Sequence, residues 1–71
     1  MMDAVQFRAG LDGLGLSQTA FAKWTGKNPR TVRRWAAGED PVPREIAVII
    51  ALLEAISEIG GSHLLNRLLE K

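Results

Sequence analysis

Residues 16–38 read LSQTAFAKWTGKNPRTVRRWAAG, and this stretch predicts two short helices joined by a tight turn. Ser17 is typical of the N-cap of a first helix that continues to about Trp24, because its hydroxyl can accept a bond from a backbone N–H. Gly26 is typical of the end of that helix, because glycine tolerates a positive φ. The side chains expected to face inward from this helix are Phe21 and Ala22.

The second helix of this stretch has one apolar side and one basic side. Asn28 predicts its N-cap, Pro29 its first position and Gly38 its end. At about 100° per residue, the stripe that faces the core consists of Val32, Trp35 and Ala36. The residues turned away from the core are Arg30, Arg33, Arg34 and Ala37. An exposed, arginine-rich helix face that is short enough for a major groove indicates contact with the base edges of duplex DNA.

Another helix is predicted ahead of this pair. Asp3, followed three residues later by Gln6, has the pattern of a capping box. The apolar residues that then recur at helical spacing are Ala4, Phe7, Leu11 and Leu14. Gly13 and Gly15 weaken a helix, so we expect this one to end near them.

The C-terminal part of the chain predicts a long apolar helix and then a short one. Pro43 favours the start of the long helix, after an extended Val42. Residues 46–53 contain no polar side chain, but eight residues are far fewer than the roughly 20 that cross a bilayer. The glycines at 60–61 end this helix, and Ser62 can cap a fifth one.

The fold class that follows is all-α, a compact bundle of about five short helices, because no segment alternates with the period of a strand. With 71 residues the chain is near the lower limit of a domain that folds alone. Cysteine is absent and His63 is the only histidine, so disulfides and a zinc site are excluded as stabilising elements. Close helix packing or self-association is then the expected source of additional stability.

The sequence also argues against an enzyme. No histidine, nucleophile and acid form a recognisable triad, and no glycine-rich phosphate loop is present. The acidic residues are scattered without the spacing of a metal-binding loop. We therefore expect no catalytic residue, no cofactor and no metal. No N-terminal signal is visible, which predicts a soluble cytoplasmic protein without membrane association.

Charge is concentrated in the middle of the chain. Residues 23–44 contain six lysines and arginines and two acidic residues, whereas the segments on both sides are mildly acidic. The formal net charge of the whole chain is only +1. A basic centre is typical either of a solvated helix face or of a site for a polyanion, and its position on an exposed helix favours the polyanion.

The residues quoted above resemble a known family. Residues 16–22, Gly26, residues 29–35 and Gly38 are similar in type and spacing to the Cro/lambda-repressor-like (XRE) family of helix-turn-helix DNA-binding proteins. The resemblance extends from residue 7 to about residue 53. It implies a lambda-repressor-like DNA-binding fold.

The resemblance also implies which side chains contact DNA. The positions that match base-edge contacts in the family are Asn28, Pro29, Arg30 and Arg34. The positions that match phosphate or groove-edge contacts are Gln18, Thr31 and Arg33. By charge and location we also expect phosphate contacts from Lys23, Lys27 and Arg44. Pro29 cannot donate a hydrogen bond, so its contact would be apolar or its role would be limited to helix initiation.

Two residues depart from the family pattern at the turn. Lys27 occupies a position that is usually small and apolar, and polar Thr25 occupies an inward position before Gly26. These departures predict either a looser core under the turn or a Lys27 side chain turned outward to a phosphate.

The apolar sector of the fourth predicted helix covers about 200°, against the roughly 100° that packing on one core requires. The surplus must contact the last helix, a second protomer or another protein. We expect a homodimer whose interface contains Leu52, Ile59, Leu64, Leu65, Leu68 and Leu69. Residues 1–59 would then form the DNA-binding domain, with the helix-turn-helix at about 17–37. Residues 60–71 would form a short C-terminal dimerisation helix.

The function predicted from these features is sequence-specific binding of double-stranded DNA by a small phage or bacterial repressor, located at the nucleoid. Promoter occlusion is the expected mechanism, and two-fold protein symmetry would match a palindromic site. The alternative is an antitoxin or phage adaptor whose apolar C-terminal helices bind a protein partner.

Overall fold

The computed structural model describes residues 2–60 and Arg67. Within this part of the chain the regular structure consists of four α-helices without a strand, which confirms the all-α class. The helices are α1 (Ala4–Gly13), α2 (Gln18–Thr25), α3 (Pro29–Ala37) and α4 (Arg44–Glu58). The bundle was expected to contain about five helices. The fifth, predicted from Ser62 onward, lies outside the described residues, as does His63.

The first two helices begin where their capping residues predict. The Asp3 carboxylate accepts a bond from the Gln6 backbone N–H at 2.8 Å, and the Gln6 side-chain oxygen accepts one from the Asp3 N–H at 3.0 Å. This is the predicted capping box. The Ser17 hydroxyl accepts a bond from the Ala20 N–H at 3.0 Å. These local bonds satisfy N–H groups that the first turn of a helix leaves without partners.

Aromatic contacts hold the first three helices together. Phe7 of α1 is fully buried, and its ring meets the edge or face of two other rings. The ring centroids are 5.7 Å apart for Phe7 and Phe21 of α2, with an interplanar angle of 79°. They are 6.0 Å apart for Phe7 and Trp35 of α3, with an angle of 88°. Such T-shaped pairs each add about 0.5–1.5 kcal/mol to the gain from burial.

Trp24 has a different position from Trp35. Its side chain is partly exposed, as predicted, and its ring lies tilted against Phe21 with centroids 6.3 Å apart. Trp35 is almost completely buried, which confirms its prediction as a core residue.

The fourth helix, α4, also contributes side chains to the core. Ile46, Ile50 and Leu53 of α4 are buried. A methyl group added at Gly10 of α1 would lie 2.8 Å from the Ile50 side chain, so glycine is what allows α1 and α4 to approach so closely. Val42 precedes α4 between two prolines and is also buried, although the sequence did not identify it as a core residue.

The helix ends at Gly26 and Gly38 have left-handed backbones, with φ angles of 73° and 78°. A residue with a side chain is strained in this conformation, whereas glycine is not. No atom lies within 4 Å of the position that a side-chain carbon would take at Gly26, so only the backbone would oppose a substitution there.

We therefore predict that Gly26→Ala lowers the free energy of unfolding by roughly 1 kcal/mol. The change is measured by urea titration, with unfolding monitored by circular dichroism. Gly13→Ala is the matched control, because Gly13 is helical and its surroundings are equally open. This variant should be unchanged or slightly more stable. Equal losses in both variants would show that the left-handed turn at Gly26 is not the cause.

Candidate nucleic-acid interface

Helix α3 is anchored by one side and exposes the other. Its buried residues are Val32, Trp35 and Ala36, which confirms the predicted inward stripe. Its outward residues Arg30, Arg33, Arg34 and Ala37 are all exposed. At the start of α3 the Asn28 side-chain oxygen accepts a bond from the Arg30 N–H at 2.8 Å, and Pro29 occupies the first turn. Capping and burial together fix where α3 begins and which way its arginines face.

Two helices contribute to one open depression on this exposed side. Gln18, the first residue of α2, lines it. The other lining residues are Arg30, Arg33, Arg34, Ala36, Ala37 and Glu39. The structure thus brings a predicted phosphate contact from α2 onto the same surface as the arginines of α3.

The other predicted DNA-contacting residues lie outside this depression. Lys23, Lys27 and Pro29 are exposed, and Thr31 is half-buried. Arg44 begins α4 and borders a separate, mostly apolar depression whose other lining residues are Met2, Val42, Ala47, Val48 and Ala51. The Asn28 side-chain oxygen is engaged in the helix cap, so only its amide N–H groups are left to donate to a partner.

The turn between α2 and α3 accommodates both departures from the family pattern. The Thr25 hydroxyl donates to the Phe21 carbonyl at 2.8 Å, within its own helix, so its polar group has a partner. The Lys27 backbone N–H donates to the Ala22 carbonyl at 3.0 Å while its side chain is exposed. The side chain of Lys27 thus faces solvent, whereas its predicted contact with a phosphate stays a prediction.

Arg34 differs from the other arginines of α3 because an acidic residue binds it. Its Nε donates to Oδ2 of Asp40 at 2.7 Å, and its Nη2 lies 3.4 Å from Oδ1 of the same carboxylate. Nη1 lies 4.0 Å from the carboxylate of Glu39, beyond hydrogen-bond distance. This pair was not predicted from the amino-acid sequence. A carboxylate two residues after the capping Gly38 is the only local signal that could have suggested it.

The pair changes the ionisation of both partners. The hydrogen bond from Arg34 holds the pKa of the Asp40 carboxyl below its ordinary value. The same bond, together with the negative charge of Asp40, raises the pKa of the Arg34 guanidinium. Both groups are therefore charged at neutral pH, and the pair is exposed to solvent.

Arg30 and Arg33 have no such partner within residues 2–60 and Arg67. Among the described residues, the ion pairs all involve Arg34. The guanidinium groups of Arg30 and Arg33 are exposed and can meet an anion that approaches α3 from solvent. The depression thus combines two arginines without a carboxylate partner among the described residues, one paired arginine and the amide of Gln18.

Arg8 of α1 makes a contact with α3 that was not predicted from the sequence. Its Nη1 donates to the carbonyl of Ala36 in the last turn of α3. The last carbonyls of a helix have no partner within the helix, so this bond satisfies one of them and ties α1 to α3.

The outer face of α4 is apolar. Val48, Leu52 and Ile59 are 48%, 59% and 84% exposed in the described part of the chain. Their spacing places them within about 40° of one another around the helix axis. Leu52 and Ile59 belong to the predicted dimer interface. Its other members, Leu64, Leu65, Leu68 and Leu69, lie outside the described residues.

Comparisons of the chain with protein families, with curated proteins and with solved structures find no significant match. None of the helices in residues 2–60 combines the length and the apolar content that a membrane crossing demands. Over the same residues, no three acidic or histidine side chains cluster in a way that could hold a metal ion.

The ion pair predicts a measurable titration shift. In Arg34→Ala the pKa of the Asp40 carboxyl should rise toward about 3.9, the ordinary aspartate value, because its hydrogen-bond donor is lost. Carboxyl ¹³C NMR against pH measures it. Because the folded-state pKa of Asp40 is the depressed one, the pair stabilises the fold above the unfolded-state pKa. This contribution disappears as the pH falls through the folded-state value. An unchanged Asp40 titration in the variant would contradict the ion pair.

Proposed function

We propose that this protein is a sequence-specific DNA-binding transcriptional regulator that reads the major groove with α3. One observation carries the proposal. Gln18 of α2 and the arginines at 30, 33 and 34 of α3 line one open depression, which lies over the exposed side of α3. A positively charged helix face that the rest of the fold leaves uncovered is what insertion into a major groove requires.

The dimensions of α3 support this proposal. Helix α3 contains nine residues, so it is about 13 Å long. An α-helix with its side chains is about 10–12 Å across, and the major groove of B-DNA is about 12 Å wide. Gln18, the first residue of α2, lines the same depression as the arginines of α3, from which it can meet the phosphates at the groove edge.

The residues divide between reading bases and positioning the protein. Arg30 and Arg34 can bind O6 and N7 of guanine in a bidentate manner, with Asn28 and Pro29 nearby at the start of α3. Phosphate contacts are proposed for Gln18, Thr31, Arg33, Lys23, Lys27 and Arg44. Such contacts set affinity and orientation, but they carry no direct sequence information. The similarity of residues 16–38 to the Cro/lambda-repressor-like family supports the same division.

The regulator is proposed to act as a homodimer that occludes a promoter. The exposed apolar face of α4, with Val48, Leu52 and Ile59, supports this, because large contiguous apolar surface is typical of interfaces. Pairing through α4 would leave the basic α3 helices of the two protomers free to enter successive major grooves about 34 Å apart.

A second candidate function rests on the same apolar face. The depression of Met2, Val42, Arg44, Ala47, Val48 and Ala51 is mostly apolar and adjoins the outer face of α4. Such a surface also suits a helix from another protein, as in an antitoxin or a phage adaptor. Salt-dependent retention on heparin supports the regulator, whereas stoichiometric co-purification of a second polypeptide without DNA retention supports the adaptor.

The DNA-binding proposal is tested by selecting bound fragments from random duplex DNA. We expect a palindromic site. Arg30→Ala or Arg34→Ala should then cost roughly 1–3 kcal/mol of binding free energy and relax the preference at particular base pairs. Gln18→Ala should weaken binding to all sequences alike, because a phosphate contact does not discriminate bases.

Titrations against the selected site and its single-base variants separate these outcomes. If both arginine variants bind the site like the wild type, α3 is not the reading helix. If Gln18→Ala loses preference at one base pair alone, its assignment to a phosphate is wrong. Val5→Ala serves as a control, because Val5 is exposed on α1 and has no proposed DNA contact.

The dimer proposal predicts the effect of charge on the outer face of α4. Leu52→Glu should shift the sedimentation of the protein at micromolar concentration from dimer to monomer. It should also weaken binding to a palindrome strongly, because the second half-site is no longer tethered. The fold should persist, since Leu52 is 59% exposed in the described part of the chain.

Val5→Glu is the matched control for this experiment, because Val5 is 65% exposed and lies on α1 in a depression whose lining includes no residue of α4. It should remain dimeric. A wild type that sediments as a monomer and still binds its full palindrome tightly would overturn the dimer. Unfolding of Leu52→Glu would instead indicate that another segment of the same chain covers this face.

A further inference from the structure

The Arg34–Asp40 pair uses only one edge of the guanidinium. The carboxylate of Asp40 meets the side formed by Nε and Nη2, at 2.7 Å and 3.4 Å. A guanidinium carries five N–H groups. Nη1 and the second hydrogen of Nη2 therefore form a fork at the end of the side chain that Asp40 does not occupy. This end fork is the part of an arginine that can bind O6 and N7 of one guanine.

The backbone holds Asp40 in this position. Gly38 turns the chain with a φ of 78°, so that the next residues fold back over the end of α3. The N–H groups of Glu39 and Asp40 then donate to the carbonyl of Arg34 at 3.0 Å and 3.4 Å. Asp40 is thus bound to Arg34 through both its backbone and its side chain, and Pro41 follows with a fixed φ.

The neighbouring arginines lack this restraint. Within the described residues, Arg30 and Arg33 have no carboxylate partner, so their side chains keep the freedom of long exposed residues. A flexible arginine next to DNA can reach a phosphate or any of several base edges. An arginine held on one side by a carboxylate has fewer orientations to lose when it binds a single base.

We propose that Asp40 is a specificity-determining positioning residue that orients the Arg34 side chain toward one guanine in the bound DNA. This inference rests on the proposed DNA-binding function. Asp40 itself contacts no base. It reduces general attraction to phosphates, because it adds a negative charge beside the arginines of α3, and it increases discrimination at the base pair that Arg34 reads.

The adjacent Glu39 provides a matched comparison. It carries the same charge in the same loop, but its carboxylate is 4.0 Å from Nη1 of Arg34, too far for a hydrogen bond. Asp40→Ala and Glu39→Ala each remove one negative charge close to the depression. Only the first removes the bidentate contact to Arg34. Loss of charge alone therefore changes binding in the same direction in both variants, whereas an orienting effect is confined to Asp40→Ala.

The experiment measures binding to the selected site and to the same site with the Arg34-dependent base pair changed. Arg34→Ala identifies that base pair as the one whose preference it abolishes. Both alanine variants should bind non-specific duplex more tightly than the wild type. Asp40→Ala should lower the ratio of affinities for the two sites by roughly fivefold or more, because a bidentate arginine–guanine pair discriminates by at least about that factor. Glu39→Ala should keep the wild-type ratio.

A ratio of affinities is insensitive to loss of folded protein, because both duplexes are titrated with the same preparation. Asp40→Asn, which keeps the size of the side chain but not its charge, should give an intermediate ratio. In ¹H–¹⁵N spectra of the free protein, the Arg34 Nε–H signal should be protected from exchange with water. It should lose that protection in Asp40→Ala but not in Glu39→Ala.

Four results would overturn the inference. An unchanged affinity ratio in Asp40→Ala, or an equal loss in Glu39→Ala, removes Asp40 as a positioning residue while the DNA-binding function stands. If Arg34→Ala alters no base preference at the selected site, Asp40 is again removed as a positioning residue while the DNA-binding function stands. If the wild type selects no duplex sequence at all, the proposed function and this inference are overturned together.

Discussion

The rest of the structure depends on the contacts that the buried Phe7 ring makes with two other aromatic rings. The Phe7 ring lies edge-on to Phe21 at 5.7 Å and to Trp35 at 6.0 Å, so one buried side chain of α1 sets the places of α2 and α3. A helix of nine residues such as α3 is marginal by itself in water and takes its stability from packing. The edge-to-face geometry also restrains the rotation of α3, because a turned ring would lose the favourable contact between the ring edge and the ring face.

This restraint on the rotation of α3 determines which of its residues form the outer surface. With Val32 and Trp35 held inward, helical geometry carries the arginines of α3 to the opposite side, where α2 presents Gln18. The three arginines on this surface differ in whether a carboxylate holds their side chain. Arg34 is bound by Asp40, whereas no carboxylate holds the other two arginines in the described part of the chain. Exposed ion pairs add little to folding stability, so the contribution of this pair to the stability of the fold is small.

Much of this arrangement could be predicted because its causes are local. The capping bonds of Asp3, Ser17 and Asn28 reach backbone groups only two or three residues away, so the starts of α1, α2 and α3 follow from short sequence patterns. The inward stripe of α3 follows from helical periodicity, which likewise needs no knowledge of the neighbouring helices. The same reasoning applies to the surplus apolar face of α4, where Leu52 and Ile59 are exposed in the described residues.

Contacts that depend on the path of the chain between helices could not be derived in this way. Asp40 meets Arg34 only because the turn after α3 brings its carboxylate back, and the direction of that turn is set in three dimensions. Arg8 finds the carbonyl of Ala36, and Val42 enters the core, for the same reason. The sequence by itself therefore determined the four described helices, the starts of the first three and the inward face of α3, through interactions within a few residues. The tertiary structure alone decided which charged groups meet, because that depends on how separate helices are placed.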